Sequence, residues 1–133
     1  MQQSPDAIAV RSATARAALG YLHGNCGHCH NENALPALDL ALAQEAARPA
    51  ESAARTLISL VGRYSRFRAH GAPETRRVVP GDPAKGVLLA RMKSHDPLVR
   101  MPPLGVQVAD SRGIEILGRW IREDLQPNQE TAP

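Results

Sequence analysis

The chain has 133 residues and a formal net charge of +3 at pH 7, with 43% hydrophobic and 22% charged residues. This size suits one domain, and the near-average balance of apolar and charged residues argues against wholesale disorder. Aromatic residues make up only 3% of the chain. Small aliphatic side chains must therefore form the core, unless a group that is not an amino acid helps to fill it.

The positive charge is spread over scattered arginines, and the densest basic stretches, residues 63–68 and 76–77, are short. They do not form the concentrated stripe of a nucleic-acid-binding motif, so we expect no nucleic-acid partner. No apolar run approaches the roughly 20 residues that span a bilayer, so the chain is not expected to cross a membrane. A modest positive excess suits a surface that docks on an acidic protein partner.

A first helix is predicted from Ser4, with Pro5 at its first position, to about Asn25. It leads into the only two cysteines, which fall in the run Cys26-Gly27-His28-Cys29-His30. The spacing Cys-x-x-Cys-His is the attachment signature of a c-type haem. On a helical turn, positions i, i+3 and i+4 share one face, so two thiols can bind the haem vinyl groups while the imidazole ligates iron.

Two other interpretations of this motif remain open. A disulfide or a thioredoxin-like redox pair also uses Cys-x-x-Cys, but it expects a strand-to-helix context that the sequence lacks. A zinc site is the other alternative, with ligands from the two cysteines, His23, His28 and His30. Structural zinc sites commonly pair two clusters of ligands, and no second cluster is present.

The Ala-rich stretch from Leu38 to Arg68 is predicted to be helical, with a break around Arg48-Pro49, and residues 70–80 are predicted to be a loop. The next helix is expected to have Asp82 as its cap and Pro83 at its first position, and to end near Ser94. Met92 fits the apolar side of that helix and is interpreted as a core residue.

Met101 is the favoured second axial ligand for the iron. It lies in Arg100-Met101-Pro102-Pro103-Leu104-Gly105, where two prolines stiffen a non-helical segment. A rigid loop suits the presentation of a thioether to iron. His70 and His95, both in loop-like sequence, are the competing sixth ligands.

Asp110 and Ser111 predict the start of a last helix, whose apolar positions recur at helical spacing up to Leu125. Gly118 lies on its apolar face and predicts the close approach of another helix. The tail, residues 126–133, is polar and is expected to fray. The fold class is therefore all-α, in one domain of residues 1–133 with a helical core of about 5–125 and an Ala-rich variable segment of about 38–78.

The order of haem motif, methionine loop and terminal helix resembles the class I cytochrome c fold. In that family the haem motif ends the first helix, and the distal methionine comes from a loop before the last helix. Residues 21–31, 79–83 and 100–105 are also similar to a haem domain at the C-terminus of many exported bacterial proteins. The resemblance implies one covalent haem held by Cys26 and Cys29, with His30 and Met101 as iron ligands. The chain departs from these relatives at residues 40–60, which are Ala-rich where the relatives are Gly-rich.

His/Met ligation leaves no open iron position, so the expected function is transfer of single electrons to and from redox partner proteins, not catalysis by the chain itself. Arg76, Arg91, Arg100 and Tyr64 are candidate partners of the haem propionates. One alternative is a sensor or peroxidase-like domain with a labile sixth position, and the other is a haem-free zinc or disulfide module. By resemblance the protein is expected to be periplasmic or otherwise exported. Because residues 1–6 lack the features of a signal peptide, we expect that a signal or a larger N-terminal portion is absent from this chain.

Overall fold

The computed structural model describes residues 12–27, 29–31, 40–65, 76–96, 98–101 and 110–125. The chain divides into two compact units, Met1–Leu60 and Val61–Pro133. The described residues form four α-helices, and no strand occurs among them; two isolated bridges pair Val61 with Val78 and Tyr64 with Arg76. The coarse all-α prediction is confirmed for this part of the chain, and the single-domain assignment stays a prediction.

In the first unit, α1 comprises Ala13–Cys26 and α2 comprises Pro49–Leu60. The helix predicted from Ser4 to Asn25 is wrong at Ser12, because the Ser12 backbone is extended and not helical. The Ser12 side chain instead caps α1 by accepting a hydrogen bond from the Ala15 N–H at 2.9 Å. The cap satisfies an N–H that the first turn would otherwise leave unpaired, so the helix begins there. Residues 4–11 lie outside the described residues.

The predicted helix over 38–68 is wrong on both sides of α2. Residues 40–45 and 61–65 are non-helical, and α2 begins at Pro49, where a proline suits the first helical position. Alanine favours a helix on propensity alone, but the backbone groups of residues 41–45 are bonded to other elements, as described below. Tertiary hydrogen bonds therefore override local preference in this segment.

In the second unit, α3 comprises Val87–Lys93 and α4 comprises Ser111–Arg119, which continues as a π-helical turn over Trp120–Asp124. The predicted start of α3 at Asp82-Pro83 is wrong: residues 83–85 form turns. The Val87 and Leu88 N–H groups donate to the carbonyls of Arg76 and Arg77 at 2.9 Å each. These bonds satisfy the first turn of α3 and so set its start.

The cap predicted at Asp110 is confirmed, since its carboxylate accepts a hydrogen bond from the Gly113 N–H at 3.0 Å. α3 contacts α4, and Met92 is buried as predicted. Another helix does lie against Gly118, through Leu89 of α3, but a Cβ there would lie 3.9 Å from both Leu89 and Pro83, an ordinary contact distance, so these described neighbours do not require glycine. The predicted tail, residues 126–133, lies outside the described residues.

Buried apolar side chains in the two units are mainly leucine, valine and alanine, and Trp120 is the one aromatic side chain buried among the described residues. The membrane prediction is supported to this extent: within the described ranges, no helix combines the length and apolar character needed to cross a bilayer.

Candidate functional site

The cysteines and the histidine singled out by the sequence meet in one turn at the end of α1. Cys26 is the last residue of the helix. Its carbonyl accepts hydrogen bonds from the Cys29 N–H at 3.2 Å and the His30 N–H at 2.9 Å. The Asn31 side chain donates to the Gly27 carbonyl at 2.9 Å and closes the same turn. The i, i+3 and i+4 relation expected from the sequence is therefore present in the backbone, and His28 lies outside the described residues.

The two cysteines differ in their surroundings. Their sulfurs are not bonded to each other; Cys26 is half-buried and Cys29 is exposed. Burial, together with the adjacent Cys29 thiol, raises the pKa of Cys26 to about 11. Cys26 is thus a protonated thiol near neutral pH.

His30 follows directly and is held through its backbone. It is half-buried, and its ring Nδ1 is shielded from solvent. Its carbonyl accepts a hydrogen bond from the Leu42 N–H at 2.7 Å. This bond joins the Cys-x-x-Cys-His turn to residues 41–45, which we call the strap.

The strap also contacts Gly27 in the motif and His23 in α1. A Cβ on Gly27 would lie 2.7 Å from the His23 carbonyl oxygen and 3.1 Å from the Ala43 Cα. Only glycine fits here without a backbone shift. The Gln44 N–H donates to the His23 Nδ1 at 2.9 Å, which places the proton of the neutral ring on Nε2. The sequence offered His23 only as a ligand of the alternative zinc site, and the structure gives its ring this specific partner.

α2 holds the strap from the other side with polar groups. Ser52 and Thr56 are fully buried and Ser59 nearly so, at positions i, i+4 and i+7 of the helix. The Thr56 hydroxyl donates to the Ala41 carbonyl at 2.8 Å, and the Ala41 N–H donates to the Ser59 hydroxyl at 3.1 Å.

The side chain of Gln44, itself 4% exposed, completes this network. Its amide donates to the Thr56 hydroxyl at 2.8 Å, and the Ser52 hydroxyl lies 3.2 Å from its carbonyl oxygen. The Ser52 hydroxyl also accepts from the Glu45 N–H at 3.1 Å. Sequence reasoning missed this set of residues, although three hydroxyls at helical spacing on one face of an Ala-rich helix were the available signal.

Met101, the predicted distal ligand, lies in the second unit, on non-helical backbone as expected, and is half-buried. Its N–H donates to the Arg91 carbonyl at 3.1 Å, and the Arg91 Nε donates to the Val99 carbonyl at 2.9 Å. The carboxylate of Asp96 accepts from the Leu98 N–H at 2.9 Å. The loop before Met101 is thus hydrogen-bonded to α3 and to itself.

Four other residues considered from the sequence have the following surroundings. His95 is exposed. The Arg76 guanidinium lies 5.5 Å from the centroid of the Tyr64 ring, in cation–π range. Burial lowers the pKa of Arg91, which keeps its charge at physiological pH. His70 lies outside the described residues, as do the prolines after Met101.

The donor chemistry of the turn fits a covalently attached haem: two sulfurs that are not bonded to each other, followed by an imidazole one residue later. Within the described ranges, no group of three or more His, Cys, Asp and Glu side chains is arranged to hold a metal ion. No protein-family model, curated protein or solved structure matches the chain.

Proposed function

We propose that the protein is an electron-transfer protein that carries one c-type haem on Cys26 and Cys29, with His30 and Met101 as the axial ligands. The observation that carries this proposal is the turn at the end of α1, where the two sulfurs and the imidazole follow one another at i, i+3 and i+4. A haem bound in this way supplies an iron that gains and loses one electron without an open coordination position.

The contribution of the chain is to hold the ligands in place. The carbonyl bond from His30 to the strap limits movement of the turn, and the buried Nδ1 keeps that side of the imidazole out of water. Ligand positions that change little between two oxidation states favour fast electron exchange. Transfer of single electrons is therefore favoured by a rigid turn around His30.

The backbone before Met101 supports its role in the same way. Besides the Leu98 bond, the Val99 and Arg100 N–H groups donate to the Asp96 carbonyl at 2.9 and 2.8 Å. A methionine side chain is flexible, so a fixed backbone reduces the entropy lost when its sulfur binds a metal.

The partners proposed are redox proteins that present an acidic docking face to this chain, whose net charge is +3. By the resemblance to exported haem domains, we propose that the protein acts in the periplasm or an equivalent exported compartment. In this proposal the chain is a carrier and not itself an enzyme.

The first test is to produce the chain in a host that attaches c-type haem and to measure its pyridine haemochrome spectrum. Covalent haem on a denaturing gel and a low-spin ferric spectrum with a weak red methionine-to-iron band are the expected results. Colourless protein would refute the proposal. High-spin iron that binds carbon monoxide rapidly would instead favour the sensor or peroxidase alternative.

The second test concerns the distal ligand, with Met101→Leu and Met92→Leu as a matched pair. Leucine conserves the volume of methionine and costs less than about 1.5 kcal/mol in a core. Met101→Leu should abolish the red band and lower the reduction potential, because it removes the sulfur. Met92→Leu, at a buried core position, should leave both unchanged. If Met101→Leu also leaves both unchanged, Met101 is not the ligand.

A further inference from the structure

Buried hydrogen-bonding side chains usually stabilise a fold locally, but those of α2 are joined to the haem motif through the strap. The Thr56 hydroxyl and Gln44 amide hold the strap on one side. On the other side, the Leu42 and Gln44 N–H groups hold the His30 carbonyl and the His23 ring. The path from α2 to His30 thus consists of hydrogen bonds of 2.7–2.9 Å.

The contact between α2 and the strap is polar and buried. Thr56 and Ser52 are 0% exposed, and Gln44 is 4% exposed. An apolar face would bury the same area but would not fix the strap along its length, because apolar contacts are not directional. Hydrogen bonds to backbone groups set a single register of the strap.

We propose that Thr56 and Gln44 are positioning residues for His30, which act through the strap to set the orientation of the proximal ligand. The inference rests on the proposed function, since it assigns to these residues the control of an iron ligand. Thr56 is the central group because its hydroxyl bonds both the Ala41 carbonyl and the Gln44 amide.

The test compares Thr56→Val with Thr56→Ser in the haem-loaded protein. Valine keeps the shape of threonine but leaves the Gln44 amide without this partner and the Ala41 carbonyl with only the longer, 3.5 Å bond from the Ser59 hydroxyl, whereas serine keeps the hydroxyl. Ala53→Gly, a change at a buried position of the same helix that removes no side-chain hydrogen bond, controls for a general loss of α2 stability.

Two readouts are followed. In Thr56→Val the Leu42 amide should exchange its hydrogen roughly ten-fold faster, as expected for loss of about one net hydrogen bond. The iron-shifted proton resonances of the His30 ring and the reduction potential should also move. Thr56→Ser should restore both readouts to wild-type values, and Ala53→Gly should leave the resonances and the potential unchanged.

The outcomes separate the two proposals. If haem is bound and Thr56→Val has the same His30 resonances and potential as Thr56→Ser, the positioning role is wrong while electron transfer stands. If Ala53→Gly moves them as far as Thr56→Val does, the effect is general destabilisation and the positioning role is again wrong. If no haem is attached to the wild-type chain, both proposals fail.

If Thr56→Val does not fold, Ser59→Ala replaces it and is measured with the same two readouts. This variant removes the hydroxyl that accepts a hydrogen bond from the Ala41 N–H.

Discussion

Replacing Gly27 by alanine should destabilise the protein, because the strap crosses the haem motif at this residue. The added Cβ would lie 2.7 Å from the His23 carbonyl oxygen and 3.1 Å from the Ala43 Cα, and both are backbone atoms that cannot rotate away. Overpacking of this kind costs roughly 1–3 kcal/mol. Alanine also lowers the entropy of the unfolded chain, which offsets roughly 0.4–1 kcal/mol. The net loss in free energy of unfolding should be roughly 1–2 kcal/mol.

Urea unfolding followed by circular dichroism measures this loss. With a slope of about 2 kcal/mol/M, the midpoint should fall by roughly 0.5–1 M. Gly118→Ala is the matched control, since its Cβ would meet Leu89 and Pro83 at 3.9 Å within a helix. It should stabilise the protein by roughly 0.5–1 kcal/mol. Equal shifts of the two midpoints, or a rise for Gly27→Ala with a fall for Gly118→Ala, would refute the reasoning from backbone distances.

Two further predictions concern the thiols and a helix cap. In chain produced without haem, iodoacetamide at pH 8 should label Cys29 well ahead of Cys26, as measured by peptide mass spectrometry. The reason is that Cys29 is exposed, while burial raises the pKa of Cys26 from 9.0 to about 11. Because the folded state favours the protonated Cys26 thiol, its contribution to the free energy of unfolding is fully present below pH 9 and is lost as the pH rises through 11. Labelling of Cys26 should therefore rise over this range. Equal labelling rates of Cys26 and Cys29 at pH 8 would contradict the burial of Cys26. Asp110→Ala should cost about 1 kcal/mol in urea unfolding by removing the cap of α4, and Asp110→Asn should recover most of it; no difference between these two variants would exclude the cap.

Local features of the sequence predicted the parts of the structure that depend on neighbouring residues. The Asp110 cap and the helical turn over Cys26, Cys29 and His30 follow from spacings of three or four residues, and both are present. The burial of Met92 followed from helical periodicity. The start of α3 could not be predicted in this way, because it depends on carbonyls of residues 76–77, about ten positions earlier in the chain.

The strap shows most clearly what the sequence determines and what only the tertiary structure decides. By itself the sequence determined which donor groups the Cys-x-x-Cys-His run offers, because five residues contain two sulfurs and an imidazole at a fixed spacing. Only tertiary structure decided that residues 41–45, rich in alanine, are not helical. The reason is that the hydroxyls of α2 and the His30 carbonyl bond the backbone groups that a helix would otherwise pair internally. Local propensity is weak compared with several buried hydrogen bonds, and the residues that supply those bonds are distant in sequence.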